Sequence, residues 1–287
     1  CDHENSCGYH YTPKEYFKDN PNILRMTESI GKSFQSIIYK PVDKNPVSYV
    51  PSSYVERSQS HYSINPLFQY FCRVFGEDET SRLFGMYRIG TSAKWGGSAV
   101  LWQMDINGLV RTGKVMCYNA ETGHRAKEPQ AFVGWAHSEL KLQDFHLKQC
   151  LFGEYLLKSS ASSPVMLVES EKTAVIMSHF IPDYIWLATG GKNGCFNREA
   201  MQVLRDRNVT LLPDLGATEQ WKAKSAMLSE ICKKVSVSDI LERIATEEQC
   251  CQGLDIADFF LLSPSKRQIL QQMIQRLSLI HISEPTR

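Results

Sequence analysis

Short apolar runs alternate with helical patterns over residues 164–249, and this alternation is the clearest regularity in the chain. Four runs have the length of buried strands, at residues 165–168, 184–188, 209–212 and 235–237. Helical patterns follow them at residues 171–180, 198–205, 219–234 and 240–249. Strands that alternate with helices at this spacing predict an α/β fold, with a parallel sheet and covering helices.

The preceding stretch, residues 84–135, has the pattern of β structure. Residues 99–104 and 109–118 predict two strands, and Asn107-Gly108 between them is a strong hairpin signal. Residues 119–123 predict a further turn. A β-rich region therefore precedes the α/β part of the chain.

Helical and extended segments are predicted before this β region. Apolar residues at a helical period predict a helix over residues 67–75, which Gly76 ends. Residues 41–66 are rich in proline, serine and tyrosine and predict an extended linker or loop. The run TPKE at residues 12–15 has the capping residues of a helix start.

Composition and charge place the chain among ordinary globular proteins. Hydrophobic residues make up 43% of the 287 residues, and the net charge of +1 shows no global basic signature for nucleic acid. No apolar run reaches the roughly 20 residues of a membrane span, so no membrane partner is expected. The nine cysteines are odd in number and scattered, which disfavours a disulfide scaffold and favours a cytoplasmic location.

The last eleven residues, LSLIHISEPTR at 277–287, are similar to the in-frame translation of an adapter used in transposase-based sequencing libraries. We interpret them as an adapter-derived artefact rather than a natural extension, and set them apart from the fold. Residues 263–276 before them are interpreted as a C-terminal helix. Because the chain also starts with Cys1 instead of Met, we expect natural sequence to be missing at both ends.

Acidic residues follow two of the predicted strands. The segment PVMLVESEKTA (164–174) contains Glu169 and Glu171, and LLPDLGATEQW (211–221) contains Asp214. In an open α/β sheet the carboxyl ends of the strands meet at one edge, where ligands bind. Carboxylates gathered there repel one another, and Mg²⁺, which prefers oxygen ligands, relieves this repulsion. The pattern predicts a Mg²⁺ site for a phosphate-bearing substrate.

These two segments, with the TGG loop at 189–191, resemble the Toprim domain of bacterial and phage primases and topoisomerases. The resemblance covers residues 164–262 and implies a Toprim-like sheet, in which Glu169 matches the family's glutamate and Asp214 the first aspartate of its Asp-x-Asp motif. The second aspartate of that motif falls on Gly216. The candidates to replace it are Glu171, Glu219, Asp255 and Asp258. A degenerate copy of the domain without metal is the alternative.

The wider chain is similar to an uncharacterised family of bacterial mobile elements that joins a zinc ribbon, a β-rich middle and a Toprim-like end. The segments that suggest it are CDHENSCGYHYTP, YRIGTSAKWGGSAVLWQMD, RTGKVMCYN, KQCLFGE and GLDIADFF. The similarity implies a truncated zinc ribbon at residues 1–13 and a helical linker with a β-rich primase-like region at 14–163. It also implies that Cys1 and Cys7 hold Zn²⁺ together with an upstream Cys-x-x-C. Local completion by His3 and His10, or a loose tail without metal, are the alternatives.

Other residues near the predicted strand ends are candidates for phosphate binding. Lys172 and Lys192 carry positive charge, and Gly190 and Gly191 could let backbone N–H groups approach a phosphate. Lysines near loops are often only solvated, and a glycine pair is also explained by a tight turn. For Glu171 the alternative to a metal role is a favourable interaction with the helix dipole.

Basic and aromatic residues are interleaved in and near the predicted hairpin. The basic residues are Arg111, Lys114, Arg125 and Lys127, and the aromatic ones are Trp95, Trp102 and Tyr118. Such a mixture can hold single-stranded DNA by charge and stacking. The alternative is that the aromatic rings belong to the core and the basic residues form a solvated face.

Two function hypotheses follow. The first is a primase-like DNA-processing protein of a mobile element, with Glu169 and Asp214 as catalytic carboxylates around Mg²⁺, single-stranded DNA as partner and a replication helicase as a further partner. The second is a DNA-binding or replication-accessory module that has lost the chemistry, which Gly216 favours. A Toprim-type nuclease needs the same metal site and stays open. The sequence contains no Walker A motif and no nucleophile elbow, so hydrolysis of ATP by a P-loop is unsupported.

Overall fold

The computed structural model describes residues 15, 18–20, 46–129, 131–191, 194–250 and 252–279. The chain divides into two compact units, Cys1–Pro46 and Val47–Arg287. In the first unit, Glu15, Lys18 and Asp19 are helical. Several predictions concern residues outside the described part of the chain, namely those for residues 12–14, Cys1, Cys7 and Lys192.

Three α-helices open the second unit: α1 (Ser52–Ser58), α2 (Pro66–Phe75) and α3 (Glu77–Met86). A 3₁₀ turn, Tyr62–Ile64, lies between α1 and α2. The linker predicted over residues 41–66 is therefore wrong at α1. Val55 is the one buried residue of α1, so this helix lacks the apolar stripe by which a sequence pattern indicates a helix.

The helix predicted over residues 67–75 is confirmed as α2. The side chain of Asn65 caps it by accepting hydrogen bonds from the N–H groups of Leu67 and Phe68, and Pro66 takes the first helical position. Gly76 ends the helix with φ +84°, a backbone conformation that favours glycine. The residues that start and end α2 are therefore both recognisable in the local sequence.

An antiparallel sheet follows, in the order β1-β2-β3-β4. Its strands are β1 (Gly90–Ser92), β2 (Ser98–Met104), β3 (Val110–Met116) and β4 (Val133–Trp135). Ala99 on β2 pairs with Met116 on β3, which confirms the predicted hairpin. The turn predicted at residues 119–123 is also present, with the Gly123 N–H donating to the Asn119 carbonyl at 2.9 Å. Short structures border the sheet: a 3₁₀ turn at Lys94–Gly96, helix α4 (Ala136–Glu139) and a 3₁₀ turn at Glu154–Ser159.

The predicted parallel sheet is confirmed, in the order β6-β5-β7-β8. Its strands are β5 (Val165–Val168), β6 (Ile185–Ala188), β7 (Asn208–Leu211) and β8 (Lys234–Val237). Every residue of β5 and β6 is buried. Burial on both faces is typical of parallel strands covered by helices, and it explains why these strands are continuous apolar runs.

Six α-helices follow β5 within the described part of the chain. They are α5 (Glu171–Phe180), α6 (Thr218–Ser229), α7 (Ile240–Ile244), α8 (Glu247–Cys250), α9 (Ile256–Leu262) and α10 (Arg267–Leu279), with a 3₁₀ turn at Pro264–Lys266 before α10. No helix in the described part of the chain is long and apolar enough to cross a membrane.

Three helix predictions in this region need correction. Residues 198–205 contain a 3₁₀ turn, Ala200–Leu204, instead of an α-helix. Residues 240–249 contain two helices, because Ala245 between them is extended with ψ 144°. The helix predicted over 219–234 ends at Ser229, since the chain must turn before β8.

One hydrophobic core joins the two sheets. It includes Leu101 and Met116 from the antiparallel sheet and Met166 and Trp186 from the parallel sheet. Successive side chains of a strand point to opposite faces, so the alternate residues of β5 pack with α6 in a second core around Trp221. The end of β3 is thereby held against the carboxyl edge of the parallel sheet.

Candidate functional site

The order of the parallel strands opens a crevice at their carboxyl ends. The chain passes from β5 to β6 on one side, then crosses to β7 on the other side and continues to β8. The connections that leave β5 and β7 therefore run in opposite directions, which is the arrangement that places ligand sites between such strands. Glu169 follows β5 directly, and Asp214 lies shortly after β7.

A pocket of about 400 Å³ lies at this edge. The parallel sheet contributes Glu169, Glu171, Lys172, Gly190, Gly191 and Asp214 to its lining. The end of β3 and the loop after it contribute Lys114, Met116, Tyr118, His124, Arg125 and Lys127. The start of α9 adds Asp255 and Asp258. Most of the predicted site residues therefore meet in one pocket between the two sheets.

Asp214 is the carboxyl group most strongly affected by the pocket. Burial, followed by the negative charges of Asp255, Glu169 and Asp258, raises the pKa of Asp214 to about 8. A carboxyl group in this state holds its proton near neutral pH unless a positive charge joins it. The side chains of these four residues thus act on one another across the crevice.

Asp255 and Asp258 are tied to the start of α9. Each side chain accepts a hydrogen bond from the other residue's backbone N–H, which forms a capping box. Asp255 also accepts a hydrogen bond of 2.5 Å from the Thr173 hydroxyl on α5. Burial, followed by the charge of Asp255, raises the pKa of Asp258. The cap therefore fixes both carboxylates at the pocket, where their charges act on Asp214.

Glu171 has a different partner from the other acids. Its Oε1 lies 2.5 Å from the Lys114 Nζ, and both side chains are buried. Lys114 also donates a hydrogen bond of 2.5 Å to the Gly190 carbonyl. The predicted metal ligand Glu171 and the predicted nucleic-acid residue Lys114 are therefore paired with each other.

The predicted phosphate-binding residues have fixed positions as well. Lys172 is buried and donates to the Gly123 carbonyl at 3.1 Å, so it holds the loop after β3. Gly190 and Gly191 have φ values of +81° and +131°, and their N–H groups both donate to the Glu169 carbonyl. These glycines form the tight turn that the sequence also allowed.

The predicted nucleic-acid residues fall into two places. Arg125 and Lys127 are exposed at the mouth of the pocket. Arg111 lines a separate cavity of about 690 Å³, where its Nε donates to Asp105 at 2.9 Å. Arg111 is therefore the one described member of the predicted set that lies outside the carboxylate pocket.

The donor set of the pocket fits a hard divalent cation. Glu169, Asp214, Asp255 and Asp258 are carboxylates whose repulsion a cation would relieve. No group of three or more His, Cys, Asp or Glu side chains within the described residues is arranged to hold a metal ion. Since Mg²⁺ binds through one or two carboxylates and keeps several waters, Glu169 and Asp214 are the pair that would hold it.

Gly216, the position where the sequence resemblance predicts a second aspartate, has φ +85°, a backbone conformation that favours glycine. Its N–H donates to Glu242 at 3.3 Å. The backbone here is shaped for a turn, and the nearby acids come from α9 instead.

Sequence reasoning missed five residues of the pocket: Met116, Tyr118 as a lining residue, His124, Ser170 and Gly253. Tyr118 was considered only as an aromatic neighbour, and burial raises its pKa well above the ordinary range. Met116 ends β3, and Tyr118 and His124 follow it in the next loop. This position indicates a pocket residue only once the two sheets are packed together.

Comparisons with known sequences give two family matches. The family described as "Domain of unknown function (DUF6371)" matches residues 65–215. A family described as a zinc beta-ribbon finger matches residues 1–22, in agreement with the zinc ribbon predicted at the start of the chain. No curated protein matches the chain.

Similar solved structures include three primase fragments. The primase fragment of the bacteriophage T7 primase-helicase protein has 12% identity and a TM-score of 0.40, covering 67% of this chain and 70% of that one. The RNA polymerase domain of Mycobacterium tuberculosis primase DnaG, in complex with double-stranded DNA, has 13% identity, a TM-score of 0.46 and coverage of 73% of each chain. The E. coli primase catalytic core has 12% identity and a TM-score of 0.41, covering 73% of this chain and 83% of that one.

Proposed function

The chain belongs to the family described as a domain of unknown function (DUF6371), and we propose that its carboxylate pocket carries out Mg²⁺-dependent nucleotidyl or phosphoryl transfer in a primase-like DNA-processing role. The observation that carries this proposal is the meeting of Glu169 and Asp214 at the crevice between β5 and β7. The resemblance of the surrounding motifs to the Toprim domain agrees with it. The mobile-element origin that we propose has a different basis, namely the similarity of the wider chain to a family of bacterial mobile elements.

Each part of the pocket has a distinct task in this proposal. Glu169 and Asp214 would hold the cation, and Asp258 lines the same pocket from α9. Mg²⁺, when bound, neutralises the charge that develops on the transferred phosphoryl group. Arg125 and Lys127 are exposed beside the pocket and attract the phosphates of a nucleotide or of single-stranded DNA. A replication helicase is the partner we expect for a protein with this task.

Protonation of Asp214 controls the binding of the cation. Because its pKa is raised to about 8, the cation must displace a proton at neutral pH. Divalent-cation affinity is therefore expected to rise as the pH is raised from 6.5 to 8.5. The charge of the bound cation in turn keeps Asp214 ionised.

The activity test uses the full chain, Mg²⁺, nucleoside triphosphates and a single-stranded DNA template. Asp214→Asn and Glu169→Gln are expected to lower incorporation by roughly 10²–10³-fold, because each loses a charge that holds the cation. Glu219→Gln is the matched control, since Glu219 is an exposed acid outside the pocket and its loss should leave the rate unchanged. Equal activity of the three variants and the wild type would contradict the proposal, and strand cleavage instead of incorporation would identify a nuclease.

A second candidate is a DNA-binding or replication-accessory module without catalysis. Gly216 favours it, together with the lack of a ready-made three-ligand group among the described side chains. It predicts salt-sensitive DNA binding that survives both Asp214→Asn and Glu169→Gln. Loss of DNA binding in those variants would remove this candidate.

A further inference from the structure

Lys114 and Glu171 form a buried ion pair where the two sheets meet. Their side chains are 8% and 4% exposed, and the Nζ to Oε1 distance is 2.5 Å. Lys114 comes from β3 of the antiparallel sheet, while Glu171 begins α5 beside the parallel sheet. Burial removes both charges from water, which costs free energy. Each charge therefore needs the other as its partner, because a single buried charge would be strongly unfavourable.

The ammonium of Lys114 has the surroundings of a bound cation. Besides the Glu171 carboxylate, it contacts the Gly190 carbonyl at 2.5 Å and faces the Trp135 ring, whose centroid is 5.9 Å away. Carboxylate and carbonyl oxygens are also the ligands that hard metal cations take. The Lys114 ammonium lies close to Glu171 Oε1, but this oxygen accepts no aligned hydrogen bond. The contact is therefore similar to that between a metal ion and one of its ligands.

Gln103 adds a further polar group at the same spot. A Cβ built on Gly190 would lie 3.2 Å from Glu171 Oε1, 3.5 Å from Gln103 Nε2 and 3.5 Å from Lys114 Nζ. Gln103 is only 1% exposed, and its Oε1 has no hydrogen-bond partner among the described residues. The buried Gln103 side chain therefore lies at the same place as the ion pair, with its Nε2 on the side of Gly190.

We infer that Lys114 is the resident counter-cation of Glu171, so that the pocket has two separate cation positions. The Lys114 ammonium takes the position formed by Glu171 and the Gly190 carbonyl. The divalent cation takes the position at Glu169 and Asp214, a placement that rests on the proposed function. Lys114 is then a positioning residue for the Gly190-Gly191 turn, and Glu171 takes no part in metal binding.

Removal of the ammonium should create a new metal site. In Lys114→Gln, the Glu171 carboxylate and the Gly190 carbonyl remain without their cation. We expect this variant to bind one Mn²⁺ ion more than the wild type at pH 8, counted by electron paramagnetic resonance titration of the full chain. The double variant Lys114→Gln/Glu171→Gln should return to the wild-type number, because it lacks the carboxylate. A Lys114→Gln variant that folds and gains no Mn²⁺ would overturn the inference.

A second variant keeps the inference testable if Lys114→Gln does not fold. Glu171→Gln alone should leave Mn²⁺ binding of the wild-type site within about twofold, since Glu171 is not a ligand there. A loss of about tenfold or more in Mn²⁺ affinity would overturn the inference, because it would make Glu171 a metal ligand. A separate variant tests the proposed function. If Asp214→Asn changes neither Mn²⁺ binding nor nucleotide incorporation, the proposed function is wrong.

Discussion

At the scale of single residues, burial and neighbouring charge alter the chemistry of side chains that look ordinary in the sequence. Glu169 and Asp214 could be found from the sequence because each follows a buried strand. Glu154 could not be found from the sequence, because nothing in the residues around it indicates that its side chain is buried. Its two oxygens accept hydrogen bonds from the N–H groups of Ile106 and Leu151, at 3.0 and 3.1 Å.

Glu154 is expected to make the stability of the fold depend on pH. Burial raises its pKa from 4.5 to about 7, against the lowering effect of its two backbone donors. Because the folded state binds this proton more tightly, the contribution to stability is fully present below pH 4.5 and is lost as the pH rises through 7. The loss amounts to about 3 kcal/mol.

Denaturant unfolding between pH 4 and pH 9 measures this effect. In Glu154→Gln the part of the pH dependence that belongs to Glu154 should disappear. The exposed Glu56 offers a control, and Glu56→Gln should keep the wild-type profile. An unchanged pH profile in Glu154→Gln would show that the carboxyl group titrates normally.

At the scale of elements, local sequence was sufficient where an element carries its own start and end signals. Helix α2 has its cap, its proline and its terminal glycine within the sequence that forms it. The β2–β3 hairpin has its Asn-Gly turn. The 3₁₀ turn at Ala200–Leu204 has no such signals, because no side chain caps its start, and Arg205 leaves the helical conformation with ψ 136°.

Asn65 should make a large contribution to the stability of α2. It is fully buried, and it caps the helix while its Nδ2 donates to the Gly90 carbonyl at 3.2 Å. Asn65→Ala should lower the free energy of unfolding by about 2 kcal/mol or more, as it removes the cap and leaves buried groups without partners. Asn65→Ser keeps a capping oxygen, so it should recover about half of this loss. Thermal denaturation of the two variants separates the cap from the contact with Gly90, and equal losses would mean that the cap contributes nothing.

At the scale of the whole molecule, the two sheets are joined by one core. Leu101 on the antiparallel sheet packs in the same cluster as Met166 and Trp186 on the parallel sheet. The pocket forms only when the two sheets pack together, because one of its walls is the end of β3 and the other is the carboxyl edge of the parallel sheet. A shared core implies that the two sheets unfold together.

A core substitution on one sheet should therefore weaken the other. Leu101→Ala is expected to cost 2–5 kcal/mol of stability, by analogy with other buried leucines. Hydrogen exchange should show protection falling by the same amount in β2 and in β5. Loss of protection in β2 alone would mean that the two sheets are independent units.

Local pattern was enough to place the buried strands, the hairpin and the acids that follow β5 and β7, because each of these depends on neighbours within a few residues. The order β6-β5-β7-β8, the pairing of Lys114 with Glu171 and the arrival of Asp255 and Asp258 beside Asp214 come from packing. These contacts join residues far apart in the chain, such as Lys114 and Gly190, which are separated by 76 positions. Periodicity carries information about which face of an element is buried, whereas the choice of the neighbour that covers it depends on the free energy of the entire fold.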